Sequence, residues 1–126
     1  MLQEIKKRIL ADLKVIPGAY KRDTVIKELI RCVLYAYFKE IGLVPVPEFR
    51  YPSFPEGPVD LVGMDQTNFV KLAFSSGPTV DLSQVKSMER IEAERKIIIT
   101  FSPQEKKVRE SLFFLKKGID HLYLFE

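Results

Sequence analysis

Few residues of this chain have side chains that commonly act as nucleophiles or metal ligands. The 126 residues include one cysteine, Cys32, and one histidine, His121. Cys32 lies among Ile30, Val33 and Leu34, an apolar setting that predicts a buried and unreactive thiol. His121 has no cysteine, histidine or carboxylate cluster at metal-binding spacing, and we assign it no role. The sequence shows no Ser-His-Asp arrangement, glycine-rich phosphate loop or zinc motif.

Two carboxylates, Glu28 and Asp60, have ordinary structural explanations when they are considered alone. Asp60 follows Gly57-Pro58 at the start of an apolar run, where aspartate often bonds the neighbouring backbone. Glu28 precedes Arg31 by three residues, a spacing that permits an ion pair on a helix. The basic runs at 6–8, 106–107 and 116–117 are typical of solvated helix faces.

The first forty residues predict two helices. Leu2, Ile5, Ile9, Leu13 and Ile16 recur at helical spacing, and Pro17-Gly18 ends that helix. A second helix, broad in apolar residues, starts near Asp23 or Thr24 and runs to Gly42. The following segment, 43–58, holds five prolines, so we expect extended chain or an edge strand there.

The middle of the sequence predicts a β-hairpin. VDLVGMD (59–65) and FVKLAFS (69–75) are strand-like, and Gln66-Thr67-Asn68 lies between them as a tight turn. In the second strand the alternation places Val70, Leu72 and Phe74 on one face and Phe69, Lys71, Ala73 and Ser75 on the other.

The remainder alternates helix and strand. Asp81 and Gln84 form a capping box for a helix to about Glu94, and KIIITF (96–101) is a short buried strand. A second start signal at Ser102-Pro103 predicts a helix that ends at Gly118, before a last strand at 121–125. The expected fold is α/β, with a mixed, mostly four-stranded sheet flanked by helices.

From residue 23 onward this order of elements resembles the core of the PD-(D/E)XK, or restriction-endonuclease-like, nucleases. In detail the resemblance depends on Glu28 in the first core helix, Pro58-Val59-Asp60 opening the hairpin, and the strand at 69–75. The tail from Ile97 to Phe125 is similar to that family's second half. The resemblance implies one domain over 1–126, in which 1–22 form an extra N-terminal helix and linker and 23–126 the nuclease-like core.

The same resemblance implies a metal site that this sequence lacks in part. Such nucleases hold Mg²⁺ with carboxylates, and the metal activates water for phosphodiester cleavage. Asp60 matches the first metal ligand. In the second strand Ala73 stands where the family has an acid, and Ser75 stands where it has a lysine. Glu28, Asp60 and Lys71 would then be vestiges of a site, and the chain would need no cofactor.

An active alternative requires catalytic residues on a neighbouring element. Lys86 and Glu89 lie on the next helix and could join Glu28, Asp60 and Lys71 in a migrated site. The chain would then be a Mg²⁺-dependent endonuclease.

Composition leaves two other functions open. The first is a non-cleaving, nucleic-acid-associated domain of nuclease fold that binds DNA or RNA weakly and without sequence preference through Lys71 and basic helix faces, and the net charge of +3 permits it. Alternatively, the chain is an interaction or dimerisation module with no nucleic-acid role. It would use its first helix, and the proline-rich segment with Phe49, Tyr51 and Phe54, to bind a second copy or a larger protein. No apolar run is long enough for a membrane span, and the expected location is the cytoplasm.

Overall fold

The computed structural model describes residues 1–53 and 55–126. Phe54, one of the three aromatic residues considered for an interaction surface, lies outside the described residues. The regular elements, in chain order, are α1 (Leu2–Lys14), α2 (Asp23–Glu40), β1 (Val44–Phe49), β2 (Val59–Met64), β3 (Val70–Gly77), α3 (Leu82–Arg90), β4 (Ala93–Thr100), α4 (Glu105–Ser111) and β5 (Ile119–Tyr123). Short 3₁₀ turns lie at Gly18–Tyr20 and Leu112–Phe114.

One mixed sheet organises these elements in the order β1-β2-β3-β4-β5. The first three strands form an antiparallel meander, and β4 and β5 continue it in parallel. The hairpin predicted at 59–65 and 69–75 is confirmed, with Leu61 paired to Phe74. The mixed sheet and the order of the elements agree with the sequence expectation.

The sheet has five strands where we expected mostly four, because the proline-rich segment contributes β1. Pro45 and Pro47 lie within β1 and lack backbone donors, which an edge strand tolerates because only one of its sides is paired. Glu48 departs from extended geometry, with φ of 52°. The expectation of an edge strand was therefore correct, and the strand count was too low.

Apolar side chains cover both faces of the sheet. On one face, Leu61, Phe74 and Ile97 pack with residues of α1 and α2. On the other, Val59, Val62 and Ile98 pack with residues of α3. Val70 belongs to this second cluster together with Ala73, whereas the sequence alternation placed these two residues on opposite faces of β3. The pairing register of β2 with β3 shifts between Gly63 and Met64.

The apolar stripe of α1 is covered by its own domain. Ile5, Ile9 and Leu13 are buried in the same cluster as Ile30 and Phe38 of α2. The other part of the expected interaction surface is also occupied internally, because Phe49 and Tyr51 contact each other and pack on the opposite cluster.

Several element boundaries in the second half differ from the sequence expectation. α3 ends at Arg90 and not near Glu94, because β4 starts at Ala93 and pairs along the whole of β3. α4 begins at Glu105 and ends at Ser111, followed by the 3₁₀ turn. Gly118, with φ of 91°, turns the chain into β5, which begins at Ile119.

The described residues include no helix whose length and apolarity would allow it to cross a membrane.

Candidate functional site

Asp60 lies near the start of β2. At this end of the sheet β3 and β4 reach their last residues. The Oδ2 atom of Asp60 accepts a hydrogen bond from the backbone N–H of Ser76 at 3.0 Å. Its own N–H donates to Ser75 Oγ at 3.3 Å. The Asp60 side chain is 17% exposed, so its charge requires a partner.

That partner is Lys27, from the first half of α2. Its Nζ lies 2.9 Å from Asp60 Oδ2 and donates to the Ser76 carbonyl oxygen at 2.7 Å. An ammonium with two oxygen contacts of this length is both hydrogen-bonded and charge-paired. The side chain of Lys27 therefore ties α2 to the β2 and β3 strands at this edge.

The first turn of α3 closes the other side of the site. The predicted capping box is confirmed: Asp81 accepts from Ser83 N–H, and Gln84 Oε1 accepts from Asp81 N–H. Gln84 Nε2 donates to the Ser76 carbonyl at 2.7 Å, so this carbonyl accepts from both Gln84 and Lys27. Gln84 and Lys27 thus attach both neighbouring helices to the end of β3.

Arg31 lies one turn after Lys27 and joins α2 to β1. Its Nη2 lies 2.7 Å from Glu48 and 3.2 Å from Glu28. Burial lowers the pKa of the Arg31 guanidinium, but the Glu48 hydrogen bond and the charges of Glu28, Glu48 and Asp60 outweigh it and raise the pKa above its ordinary value. Its Nε is buried without a hydrogen-bond partner among the described residues.

These elements enclose a depression of about 320 Å³, called the Asp60 cleft below. Its lining residues are Lys27, Glu48, Gly57, Pro58, Asp60, Asp81, Ser83, Gln84 and Ser87. Three of them carry a carboxylate and one an ammonium. Even with Arg31 paired to Glu48, the cleft carries no excess of positive charge.

The residues of the cleft do not fit the Mg²⁺ site that the resemblance implies. Asp60 is already paired to an ammonium, Glu48 is paired to Arg31, and Asp81 caps α3. Within residues 1–53 and 55–126, no group of three or more His, Cys, Asp or Glu side chains is placed to hold a metal ion. A divalent cation generally takes several oxygen ligands that are free to point at it.

Ser75, and not Ala73, is the β3 side chain beside Asp60. Ala73 pairs with Val62 and is fully buried in the cluster beneath α3. The sequence expectation placed Ala73 at the acid position and Ser75 at the lysine position, and of these two only Ser75 contacts Asp60.

The structure places Lys71 outside the cleft. It lies four positions before Ser75, which is about 13 Å along a strand. Its Nζ lies 2.9 Å from Glu94 and 4.0 Å from Asp65. The hydrogen bond that Lys71 donates to Glu94, together with the charge of Glu94, raises the pKa of Lys71.

The other candidate residues do not converge on Asp60. Glu28 is 62% exposed and contacts Arg31. Lys86 and Glu89 are exposed on α3, whereas Ser83, Gln84 and Ser87 are the α3 residues that line the cleft. Glu28, Lys86 and Glu89 are therefore not among the residues that line the Asp60 cleft.

Sequence reasoning missed Lys27, the residue that contacts Asp60. A signal was present, because Lys27 precedes Ile30 and Leu34, both buried, at the spacing that places residues on one helix face. A lysine at the end of a buried stripe reaches the boundary of the core with its ammonium. Gln84 was recognised for its capping role alone.

Cys32 and His121 lie away from the cleft. Cys32 is exposed on α2, so the prediction of a buried thiol was wrong. It lies on the solvent-facing side of the helix, whereas Val33 and Leu34 face the core. His121 Nε2 lies 2.7 Å from Thr100 Oγ1 on the adjacent strand.

No protein-family model matches the chain, and no curated protein sequence matches it. Among solved structures, the chain is similar to a repair endonuclease from Pyrococcus abyssi, with a TM-score of 0.43 and 19% sequence identity. The similarity covers 82% of this chain and 47% of the endonuclease chain. The chain therefore spans about half the length of that structure.

Proposed function

We propose that this chain is a non-cleaving, nucleic-acid-binding domain built on a nuclease-like sheet. The observation that carries the proposal is the contact of 2.9 Å between Lys27 Nζ and Asp60 Oδ2. The chain's own cation therefore neutralises the carboxylate that would otherwise be the first metal ligand.

Cleavage requires more than a neutralised carboxylate. A metal-dependent nuclease needs an ion that lowers the pKa of a bound water and stabilises the charge that develops on the phosphate. An ammonium supplies charge but binds and activates no water as a Lewis acid does. The side chains around Asp60 thus support recognition or stability better than hydrolysis.

The surface that favours nucleic acid lies beside the Asp60 cleft and not within it. A second depression of about 320 Å³ includes Asp23 of α2 and Lys107 of α4 in its lining. Lys21 and Arg22 come directly before Asp23, and Lys106 precedes Lys107; all four cations are exposed. We call these four residues the basic rim.

The net charge of the basic rim is positive even when the carboxylate of Asp23 is included. Lys107 lines the second depression, the other three cations lie within two sequence positions of a residue that does, and Asp23 is the one carboxylate in its lining. Glu105 is paired with Arg109 at 2.6 Å. Within the part of the chain that the structure describes, no ion pair engages the four rim cations. Phosphate contacts by a few such residues give weak binding with little dependence on sequence.

A binding titration against salt tests this assignment. Fluorescence anisotropy with a labelled DNA duplex is expected to show affinity that falls with a log–log salt slope of about −3. Lys107→Gln should weaken binding and reduce the magnitude of that slope by about one. Lys71→Gln is the matched control, because it removes the same charge at a site remote from the rim and is expected to leave binding unchanged.

Three outcomes would contradict the proposal. Absence of binding at low salt would remove the nucleic-acid function. Equal weakening by Lys71→Gln and Lys107→Gln would remove the rim as its location. Cleavage of DNA or RNA with Mg²⁺ or Mn²⁺ that is lost in Asp60→Ala would show that the chain is an active nuclease.

A protein-interaction module is the second candidate function. The aromatic residues first considered for it, Phe49 and Tyr51, are partly buried against the domain, but Phe113 is 87% exposed and contacts Phe114 edge to face. Exposed aromatic surface of this kind is common in protein interfaces. A protein that fails to bind nucleic acid at low salt would favour this function.

A further inference from the structure

Phe113 is the most exposed large apolar side chain among the described residues, with 87% of its surface open to solvent. Phe114 contacts it, with the ring centroids 5.7 Å apart and the ring planes at 80°. In an edge-to-face pair of this kind, at least one face of the Phe113 ring stays free of Phe114. The Phe113 side chain therefore presents an open aromatic face at a position that its neighbour supports.

Phe113 continues the exposed side of α4. Residues 105–114 are helical without interruption, first as α4 and then as the 3₁₀ turn. The geometry of these helices places Phe113 within about 20° of Lys106 around the axis and about 11 Å along it. Val108 and Ser111, on the opposite side of the helix, are buried. Phe113 and the α4 part of the basic rim thus lie on one exposed surface.

The segment around Phe113 is strongly basic. Residues 105–117 contain five lysine and arginine residues and two glutamates, a net charge of +3 that equals the charge of the whole chain. Arg109 is paired with Glu105 at 2.6 Å. The four lysines are exposed, and no ion pair in the described part of the chain engages them: Lys106, Lys107, Lys116 and Lys117. Their charge is complementary to that of a polyanion.

We propose that Phe113 stacks on an unpaired base of a bound nucleic acid, while the lysines before and after it in the sequence contact the phosphates. The inference rests on the proposed nucleic-acid function and adds a contact that only unpaired bases can make. Inside a duplex the faces of each base are covered by neighbouring bases. A single strand presents those faces, and an exposed aromatic ring binds them with little dependence on sequence.

Two other kinds of partner fit this surface less well. Lysine is depleted in protein–protein interfaces, whereas two unpaired lysines precede Phe113 and two follow it. A helix that binds the surface of a membrane turns a wide apolar face to the lipid. Here Val108 is buried and Leu112 packs against the domain, so the apolar side of this helix is already covered. Charge and shape together favour a nucleic acid.

Fluorescence anisotropy with two labelled strands tests the stacking contact. One strand has about 12 thymidine nucleotides, and the other has the same number of phosphates but no bases. Wild type should bind the thymidine strand about fivefold more tightly than the abasic strand. Phe113→Leu keeps an apolar side chain but lacks a flat ring, so it should bind both strands equally. Its binding of a DNA duplex should equal that of wild type, and circular dichroism checks its fold.

A tryptophan at this position reports the contact directly. The sequence contains no tryptophan, so Phe113→Trp carries a single indole, whose fluorescence is quenched when it stacks on a base. We expect quenching by the thymidine strand and not by the abasic strand. Phe69→Trp is the matched control, because Phe69 is also exposed and lies 5.7 Å from a lysine, Lys71, outside the basic rim. The indole of Phe69→Trp should not be quenched.

The results distinguish this inference from the proposed function. Equal binding of the two strands by wild type, or thymidine binding by Phe113→Leu as tight as that of wild type, would overturn the stacking contact and leave the nucleic-acid function standing. Absence of binding to both strands and to the duplex at low salt would overturn both. A blue shift of Phe113→Trp emission with vesicles of anionic phospholipid, without quenching by the thymidine strand, would assign the surface to membranes and overturn the proposal.

Discussion

Lys27 and Asp60 neutralise each other's charge, so removing either side chain leaves the other charge unpaired. If Lys27 is replaced by Met, the Asp60 carboxylate stays mostly buried and retains only the hydrogen bond from Ser76 N–H. We expect Lys27→Met to lower the free energy of unfolding by about 1–2 kcal/mol, measured by urea denaturation.

Lys86→Met is the control for that substitution. Lys86 is exposed on α3, and its replacement should change the free energy of unfolding by less than about 0.5 kcal/mol. In Lys27→Met/Asp60→Asn the unpaired charge is gone, so part of the lost stability should return. Equal stability of the Lys27→Met and Lys86→Met variants would show that the pair contributes nothing.

His121 gives the domain a pH dependence whose sign follows from its burial. Burial lowers the pKa of His121 below its ordinary value of 6.5, although the charge of Glu126 opposes this. The unfolded chain therefore takes up the proton first as the pH falls. The stability that His121 contributes is complete above about pH 6.5 and is lost as the pH falls through 6.5 toward the folded-state pKa.

The difference in unfolding free energy between wild type and His121→Gln reports this effect. Measured at low protein concentration between pH 7.5 and 5, the difference should shift in favour of His121→Gln as the pH falls, because Gln does not titrate in this range. A difference that stays constant over this range would contradict the assignment.

Among the elements, the packing of α2 on β2 depends on a close approach at Gly63. A methyl group at this position would lie 2.9 Å from both Leu43 Cδ1 and Phe38 Cδ2. Gly63→Ala should therefore lower the free energy of unfolding by about 1–3 kcal/mol. Gly57→Ala is the control, since nothing lies within 4 Å of its added methyl group, and a similar loss in both variants would refute the packing argument.

The elements that the sequence predicted best are those that local interactions define. The hairpin and the Asp81–Gln84 capping box depend on residues close together in the chain, and both are confirmed. The end of α3 was misplaced because pairing with β3 extends β4 back to Ala93. That pairing is between strands separated by a helix, and local helix signals do not report it.

At the scale of the whole molecule, the sequence indicated that the apolar stripe of α1 must pack against another surface. It did not indicate which surface that is. The structure places Ile5 and Ile9 in the cluster with α2. The candidate site depended on tertiary structure in the same way. Asp60 was identified from its position at the strand start, whereas its partner Lys27 lies on α2, and only the packing of α2 against the sheet brings their charges together.

The Lys27 ammonium also bears on how this end of the sheet responds to the concentration of metal ions in solution. A bound divalent ion exchanges with solvent and is lost when its free concentration falls below its dissociation constant. Lys27 is a residue of the chain, so its ammonium is present in every molecule and does not dissociate. We therefore expect a chelating agent to leave the free energy of unfolding of this chain unchanged.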